Sequence, residues 1–220
     1  MHDLIENIAR FSLFIPLLLY FVKNNNKEVR VILYLILFIL IHQVIYGSLL
    51  KRDSEFLNLF NSFYTPIEFL ITGIYLRILL QNSSFKYFVS LSIFLYFFCW
   101  TPFLFFYNTQ DYISFIRAFT YSFILIFCLL YFYEQMRDPK IFFIYTQKSF
   151  WTISGFFLFA AGTFFIFLFD QFSNNVKGFF EQYVYIHALL FGVRNCFFSI
   201  AMLIQPQKSL LPDDNTISIA

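Results

Sequence analysis

Long apolar segments, separated only by short polar stretches, limit this chain to folds that a lipid bilayer can hold. Seven segments have the length of a membrane-spanning helix, which needs about 20 predominantly apolar residues. The polar stretches between them, such as KNNNKEVR and EQMRDPK, are too short to form a soluble domain. We therefore predict an all-α fold, a bundle of about seven transmembrane helices. The segments cover residues 5–22, 31–50, 57–80, 87–107, 113–133, 150–169 and 183–204.

The composition supports a polytopic membrane protein and excludes several other classes. Of the 220 residues, 60% are hydrophobic and 13% are charged, whereas soluble domains carry about 25% charged residues. The net charge of +2 is too small to indicate a nucleic-acid partner. No Walker, GxGxxG or GxSxG motif occurs, and the sequence indicates no cofactor. We predict one transmembrane domain over residues 1–204 and a short polar cytoplasmic tail over residues 205–220.

Positive charges in the short loops predict the orientation of the chain. Lysine and arginine are more frequent in the first, third and fifth loops and in the tail than on the other side of the membrane. This bias favours an N-terminus outside and a C-terminus in the cytoplasm, although Lys51 and Arg52 oppose it. The side with more positive charges has Lys23, Lys27, Arg30, Lys86, Arg137, Lys140, Lys148 and Lys208, and the other side has Arg10, Lys51, Arg52 and Lys177.

Glu68 is the carboxylate of an otherwise apolar stretch, and its environment has three interpretations. In the first, Thr65 caps a helix, Pro66 takes the first helical position and Glu68 completes a capping box. In the second, the helix begins near Leu57 and passes through Pro66, so that Glu68 lies inside the bilayer and needs a partner or a function. A re-entrant or interfacial segment is the third. Length favours the second, because a helix from Pro66 to Leu80 is only about 22 Å long, against roughly 30 Å of hydrocarbon.

Polar residues in several other segments indicate a cluster around Glu68. Under the predicted orientation most of them fall in the outer half of the bilayer, and Arg194 lies near the middle. An unpaired buried charge is costly, so we expect Glu68 to pair with Arg194 or His187. No catalytic residue and no metal site is assigned. The candidate binding or ion-pair cluster consists of Glu68, Arg194, His187, His42, Arg117, Asn195 and Tyr64.

Two glycines in the sixth segment predict close packing of helices. Gly155 and Gly162 are seven residues apart and therefore lie on one helix face. Small residues at such spacing let the backbones of neighbouring membrane helices approach each other.

Two stretches, FNSFYTPIEFLI in the third segment and VRNCFFSIAMLI in the seventh, resemble a group of uncharacterised seven-span bacterial inner-membrane proteins. The resemblance implies a multi-pass protein of the bacterial inner (cytoplasmic) membrane. It also implies a sensory or accessory role beside another membrane protein such as a signalling kinase. The matching residues are Tyr64, Thr65, Ile67, Glu68 and Phe69 of a YTxIEF-like motif, and Asn195.

The function predicted first is a small receptor-like or sensory accessory subunit with an outward-facing polar cluster. The tail is too short to carry an output domain, so a signal would pass to another membrane protein, and a small-molecule ligand would occupy the cluster. The alternatives are a transporter or channel for a small polar solute and a structural subunit of a membrane complex. A lipid-acting enzyme that uses His42, Glu68 and His187 is a further alternative, although an enzyme is the less favoured class.

Overall fold

The structure, a computed structural model, describes residues 2–23, 27–49, 54–106, 110–137, 144–170 and 179–204. Within these ranges the chain is all-helical and contains no strand. The predicted tail, residues 205–220, lies outside the described residues. The helices are α1 (His2–Phe11), α2 (Phe14–Lys23), α3 (Lys27–Leu49), α4 (Ser54–Leu79), α5 (Ser83–Phe106), α6 (Gln110–Arg137), α7 (Lys148–Asp170) and α8 (Phe179–Leu203), with a 3-10 turn at Ile144–Thr146 before α7.

Four of these helices are long and apolar enough to cross a membrane. They contain the stretches Ser83–Thr101, Ser114–Arg137, Lys148–Phe169 and Gln182–Leu203. The apolar stretches Asn7–Val22 and Arg30–Tyr46 are shorter. The chain therefore has the helical, apolar architecture of a membrane protein. Its second to seventh predicted segments correspond to α3 to α8, with end points that differ by at least one residue.

The first predicted segment, residues 5–22, is not one helix, and that expectation was wrong. It is divided into α1 and α2 by a turn at Ser12 and Leu13. Pro16 explains the division, because proline has no amide hydrogen to donate to the carbonyl four residues earlier and its ring clashes with that carbonyl. At the turn, the Ser12 hydroxyl donates a hydrogen bond to the carbonyl oxygen of Ala9, at 2.6 Å.

The helices pack as one bundle with aromatic contacts throughout its interior. Helix α8 contacts α1, α2 and α7, while α6 contacts α4 and α7, and α4 also contacts α3 and α5. The rings of Phe69 and Phe127, both fully buried, stack with their centroids 5.9 Å apart. Other large apolar side chains, including Phe94, Phe98 and Leu189, are exposed on the outside of the bundle. Such an apolar exterior suits contact with hydrocarbon rather than water.

The predicted close approach at the glycines of α7 is confirmed. A Cβ atom placed on Gly155 would lie 2.9 Å from the Cβ of Phe197 and 3.3 Å from the carbonyl oxygen of Arg194. A Cβ on Gly162 would collide with the side chain of Leu190. Both contacts are with α8, so the two glycines bring α7 against the helix that carries Arg194.

Glu134 connects helices at the opposite end of the bundle from residues such as His42 and Arg117. The sequence placed this residue in a loop after the fifth segment, but α6 continues to Arg137 and Glu134 is buried. Its carboxylate accepts hydrogen bonds from the backbone amides of Gln81, at 2.8 and 3.0 Å, and of Asn82. These amides precede α5, so Glu134 stabilises the connection between α4 and α5.

Candidate functional site

Glu68 lies inside a continuous helix, so the capping interpretation is wrong. Helix α4 is 26 residues long and contains Pro66 in its interior, which gives it a length of about 39 Å. Thr65 is therefore a helical residue and not an N-cap. The Glu68 side chain is buried, with 2% of its surface exposed, so the carboxylate needs partners within the bundle.

Arg194 of α8 is the partner of Glu68. Its Nη1 donates to Oε1 of Glu68 at 2.6 Å, and the arginine is fully buried, with 0% exposed. The predicted ion pair between these two residues thus forms in the structure, across α4 and α8. His187, the other predicted partner, packs instead edge-on against Phe159, with the ring centroids 5.5 Å apart.

Aromatic rings surround the Arg194 guanidinium. Its Cζ lies 4.1 Å from the ring centroid of Phe159, 4.7 Å from that of Phe191 and 5.8 Å from that of Phe198. A cation over an aromatic face is stabilised by the ring quadrupole, by about 2 kcal/mol or more where water is excluded. These rings replace part of the hydration that the arginine loses on burial.

Tyr121 of α6 holds the second oxygen of the carboxylate. Its hydroxyl donates to Oε2 of Glu68 at 2.9 Å. The Tyr121 ring lies parallel to that of Phe167, with the centroids 6.1 Å apart. Three helices, α4, α6 and α8, therefore meet at one carboxylate, and Tyr121 was not among the predicted site residues.

Several buried polar atoms near the ion pair have no hydrogen-bond partner among the described residues. They are Nε and Nη2 of Arg194, Oδ1 of Asn195, Oγ1 of Thr72 and Oγ1 of Thr163. Asn195 does use its amide nitrogen, which donates to Oγ of Ser12 at 2.7 Å. The turn between α1 and α2 is thereby attached to α8, one residue beyond Arg194.

A cavity of about 360 Å³ lies next to the ion pair. Six helices line it, and each of them contributes from the same end of the bundle. Of the predicted site residues, His42, Tyr64, Arg117 and His187 line the cavity, whereas Glu68, Arg194 and Asn195 do not. The described lining residues are Ala9, Arg10, His42, Gln43, Tyr46, Tyr64, Thr65, Arg117, Tyr121, Phe167, Tyr183, Val184, His187, Ala188 and Phe191.

The lining residues that were not predicted share a feature that the sequence could have shown. Gln43 is next to His42 on α3, and Tyr183 is one helical turn before His187 on α8. Arg10 lies in the last turn of α1. Adjacent polar positions near one end of several segments indicate a shared polar cavity. That signal is weak in a chain with 15 tyrosines, because most tyrosines in such a chain serve packing.

Two residues connect the cavity to the ion pair beneath it. Tyr121 lines the cavity and donates to Glu68. Tyr64, which also lines the cavity, lies close enough to both Glu68 and Arg194 to interact with their charges. A molecule in the cavity would therefore contact side chains that touch the ion pair directly.

The geometry does not place His42, Glu68 and His187 around a common point. Across the described ranges, no group of three or more His, Cys, Asp or Glu side chains is placed to hold a metal ion. The ring of His42 stacks on Phe60, with the centroids 4.8 Å apart, and that of His187 lies parallel to Tyr183 at 6.3 Å. Both histidines are part of aromatic packing around the cavity.

No protein-family model, curated protein or solved structure matches this chain.

Proposed function

We propose that this protein is a small receptor-like or sensory accessory subunit that binds a small molecule in the cavity beside Glu68 and Arg194. The observation that carries the proposal is the cavity itself, which is assembled from six helices. A concave site with mixed apolar and polar lining is the usual form of a small-molecule site, and 360 Å³ lies within the usual range of about 300–1,000 Å³.

The proposed topology is a seven-span bundle with its N-terminus outside, in the bacterial inner membrane. The positions of the cavity residues support it. Helices α4, α6 and α8 contribute from their N-terminal halves, at residues such as Tyr64, Arg117 and His187. Helices α3 and α7 contribute from their C-terminal halves, at His42 and Phe167. Alternating directions of this kind are expected of an up-and-down bundle, and the distribution of positive charges favours an outside position for this end.

The proposal includes an output through a second membrane protein, such as a signalling kinase. The resemblance to bacterial inner-membrane proteins with the YTxIEF-like motif supports the same role. Tyr121 offers a mechanical link, because it contacts both the cavity and Glu68. Movement of this tyrosine on binding would change the hydrogen bonding of a carboxylate that joins α4 to α8 and α6.

The first test is gentle detergent purification from native membranes, followed by native mass spectrometry. We expect a small molecule and a partner membrane protein to be retained. A variant that fills the cavity, Val184→Phe, should lose the small molecule. Val193→Phe makes the same change on the same helix, outside the cavity lining, and should retain it. Retention of the same molecule by Val184→Phe would contradict binding in this cavity.

A transporter or channel for a small polar solute is the second candidate. The unpartnered buried atoms of Thr72, Thr163, Arg194 and Asn195 favour it, because they add polar sites beyond the cavity. Flux of a solute into proteoliposomes, lost in Val184→Phe but kept in Val193→Phe, would favour transport over sensing. A large complex that retains no small molecule would favour the structural-subunit alternative.

A further inference from the structure

The described part of the cavity lining carries positive charge without a carboxylate. Arg10 and Arg117 line it, and no described lining residue is Asp or Glu. Glu68 lies nearby, but Arg194 and Tyr121 hold both of its oxygens. Arg117 is therefore not neutralised by this carboxylate.

Arg117 is the charge most available to a ligand. Its guanidinium lies over the ring of Phe167, whose centroid is 5.3 Å from Cζ. The side chain is half-buried in a segment apolar enough to span a membrane. A guanidinium in such a position is costly unless it is paired or hydrated. The planar fork of donors of arginine suits a carboxylate or phosphate.

His42 supplies a second donor or acceptor with a fixed direction. Its Nε2 is buried and has no hydrogen-bond partner among the described residues. The ring is held between Phe60, at 4.8 Å, and Tyr64, at 4.4 Å between centroids. Arg117 is close enough for its charge to act on this ring. An anion held between Arg117 and this ring would accept a hydrogen bond from Nε2 of His42 in the tautomer that carries its proton there.

Apolar side chains form another part of the lining. Ala9, Phe167, Val184, Ala188 and Phe191 contribute no polar side-chain atom to it. A ligand that is anionic throughout would leave this surface in contact with water or charge. An amphipathic ligand would bury it and gain hydrophobic stabilisation in proportion to the area covered.

We infer that the cavity binds a small amphipathic anion, with its carboxylate or phosphate on Arg117 and His42 and its apolar part against Phe167 and Phe191. This inference rests on the proposed binding function and names the chemical class of the ligand. The same headgroup chemistry occurs in soluble aromatic or aliphatic acids and in anionic lipids. The test therefore has one arm for each source.

The soluble arm compares benzoate with its neutral analogue benzamide, using thermal unfolding of the full chain in a non-ionic detergent. We expect benzoate to raise the unfolding temperature and to bind at least tenfold more tightly than benzamide. Arg117→Gln should abolish this preference and Arg117→Lys should restore part of it. Arg77→Gln removes a charge from an exposed residue outside the cavity and should bind benzoate as the native chain does.

The lipid arm uses phosphatidylcholine nanodiscs with and without phosphatidylglycerol, read by native mass spectrometry. Retention of phosphatidylglycerol that is lost in Arg117→Gln but kept in Arg77→Gln would assign the anion to a lipid headgroup. Arg117-dependent binding of benzoate, without retained lipid, would assign it to a soluble acid.

Two results would overturn the inference, and they can be separated from failure of the proposed function. If benzoate and benzamide bind equally and Val184→Phe prevents both, the cavity binds ligands but does not select anions. If neither benzoate nor phosphatidylglycerol binds in an Arg117-dependent manner, the anion assignment is wrong. The proposed function then depends on whether native membranes yield another small molecule that Val184→Phe loses.

Discussion

The ion pair between Glu68 and Arg194 makes the most demanding prediction about this fold. Replacing Arg194 with methionine keeps most of the side-chain volume but removes the counter-charge of the buried Glu68, which keeps its hydrogen bond from Tyr121. Replacing Glu68 with glutamine leaves the guanidinium of Arg194 without its counter-charge. Each single change should lower the free energy of unfolding by about 3–5 kcal/mol, the usual cost of breaking a buried pair.

The double variant, Glu68→Gln with Arg194→Met, should be more stable than either single variant. At 2.6 Å and an effective dielectric constant near 20, the attraction is worth about 6 kcal/mol. The desolvation penalty of several kcal/mol per ion opposes it. Removing both charges therefore removes both contributions, and the coupling energy of the cycle should be about 3 kcal/mol or more.

The assay is reversible unfolding of purified protein in dodecylmaltoside by titration with dodecyl sulfate, followed by circular dichroism. Arg77→Met is the control, because Arg77 is exposed near the end of the same α4. It should change the free energy of unfolding by no more than about 0.5 kcal/mol. If the double variant loses as much stability as the two single variants together, the residues are not coupled and the argument for a buried pair fails.

Three further predictions concern contacts around this pair. Tyr121→Phe should lower the free energy of unfolding by about 1.5–3 kcal/mol, because the Tyr121 hydroxyl donates a hydrogen bond to a charged group. Tyr96→Phe breaks a hydrogen bond between neutral groups, with Thr120, and should lower it by about 1 kcal/mol. Equal losses in the dodecyl sulfate titration would contradict this. Gly155→Ala should lower the midpoint of that titration. Gly192→Ala should not, because outside its own helix backbone no heavy atom lies within 4 Å of the added Cβ. Equal midpoints would contradict the close packing of α7 on α8. Glu134→Ala leaves the amides of Gln81 and Asn82 without their acceptor. It should increase hydrogen exchange at the start of α5, and unchanged exchange there would refute this role.

The positions of the helices and the central ion pair could be predicted from the sequence. Hydrophobicity over about 20 residues is a strong local signal, and it identifies α3 to α8. The burial of Glu68 could be predicted from the length of its helix. A helix that starts at Pro66 is too short to span the hydrocarbon core, so the helix must start earlier and Glu68 must lie in its interior. The sequence narrowed its partner to Arg194 or His187, and the structure shows Arg194. Arg194 lies too far from either end of its helix for the charge to reach an interface, so leaving it unpaired would be costly.

Other features depend on contacts that no local pattern encodes. Pro16 is visible in the sequence, but its effect depends on whether neighbouring side chains, such as Ser12 with Asn195, support a turn. Glu134 was assigned to a loop because a charge usually ends an apolar segment. Its burial depends on amide donors more than 50 residues earlier in the chain. Tyr121 is one tyrosine among many until α6 is packed against α4.

The division between cavity and ion pair bears directly on the choice between sensing and transport. The cavity contains His42, Tyr64, Arg117 and His187, whereas Glu68 and Arg194 lie outside its lining and engage each other. A transporter must let its solute pass from the cavity beyond Glu68 and Arg194. Such passage requires this ion pair between α4 and α8 to separate, at a cost of several kcal/mol. A sensor needs only a change in the side chains that join cavity and pair. Tyr121 meets that requirement, since one hydroxyl couples the cavity lining of α6 to a carboxylate on α4. The geometry therefore favours transmission of a binding event through Tyr121 and Glu68 to the packing of α8.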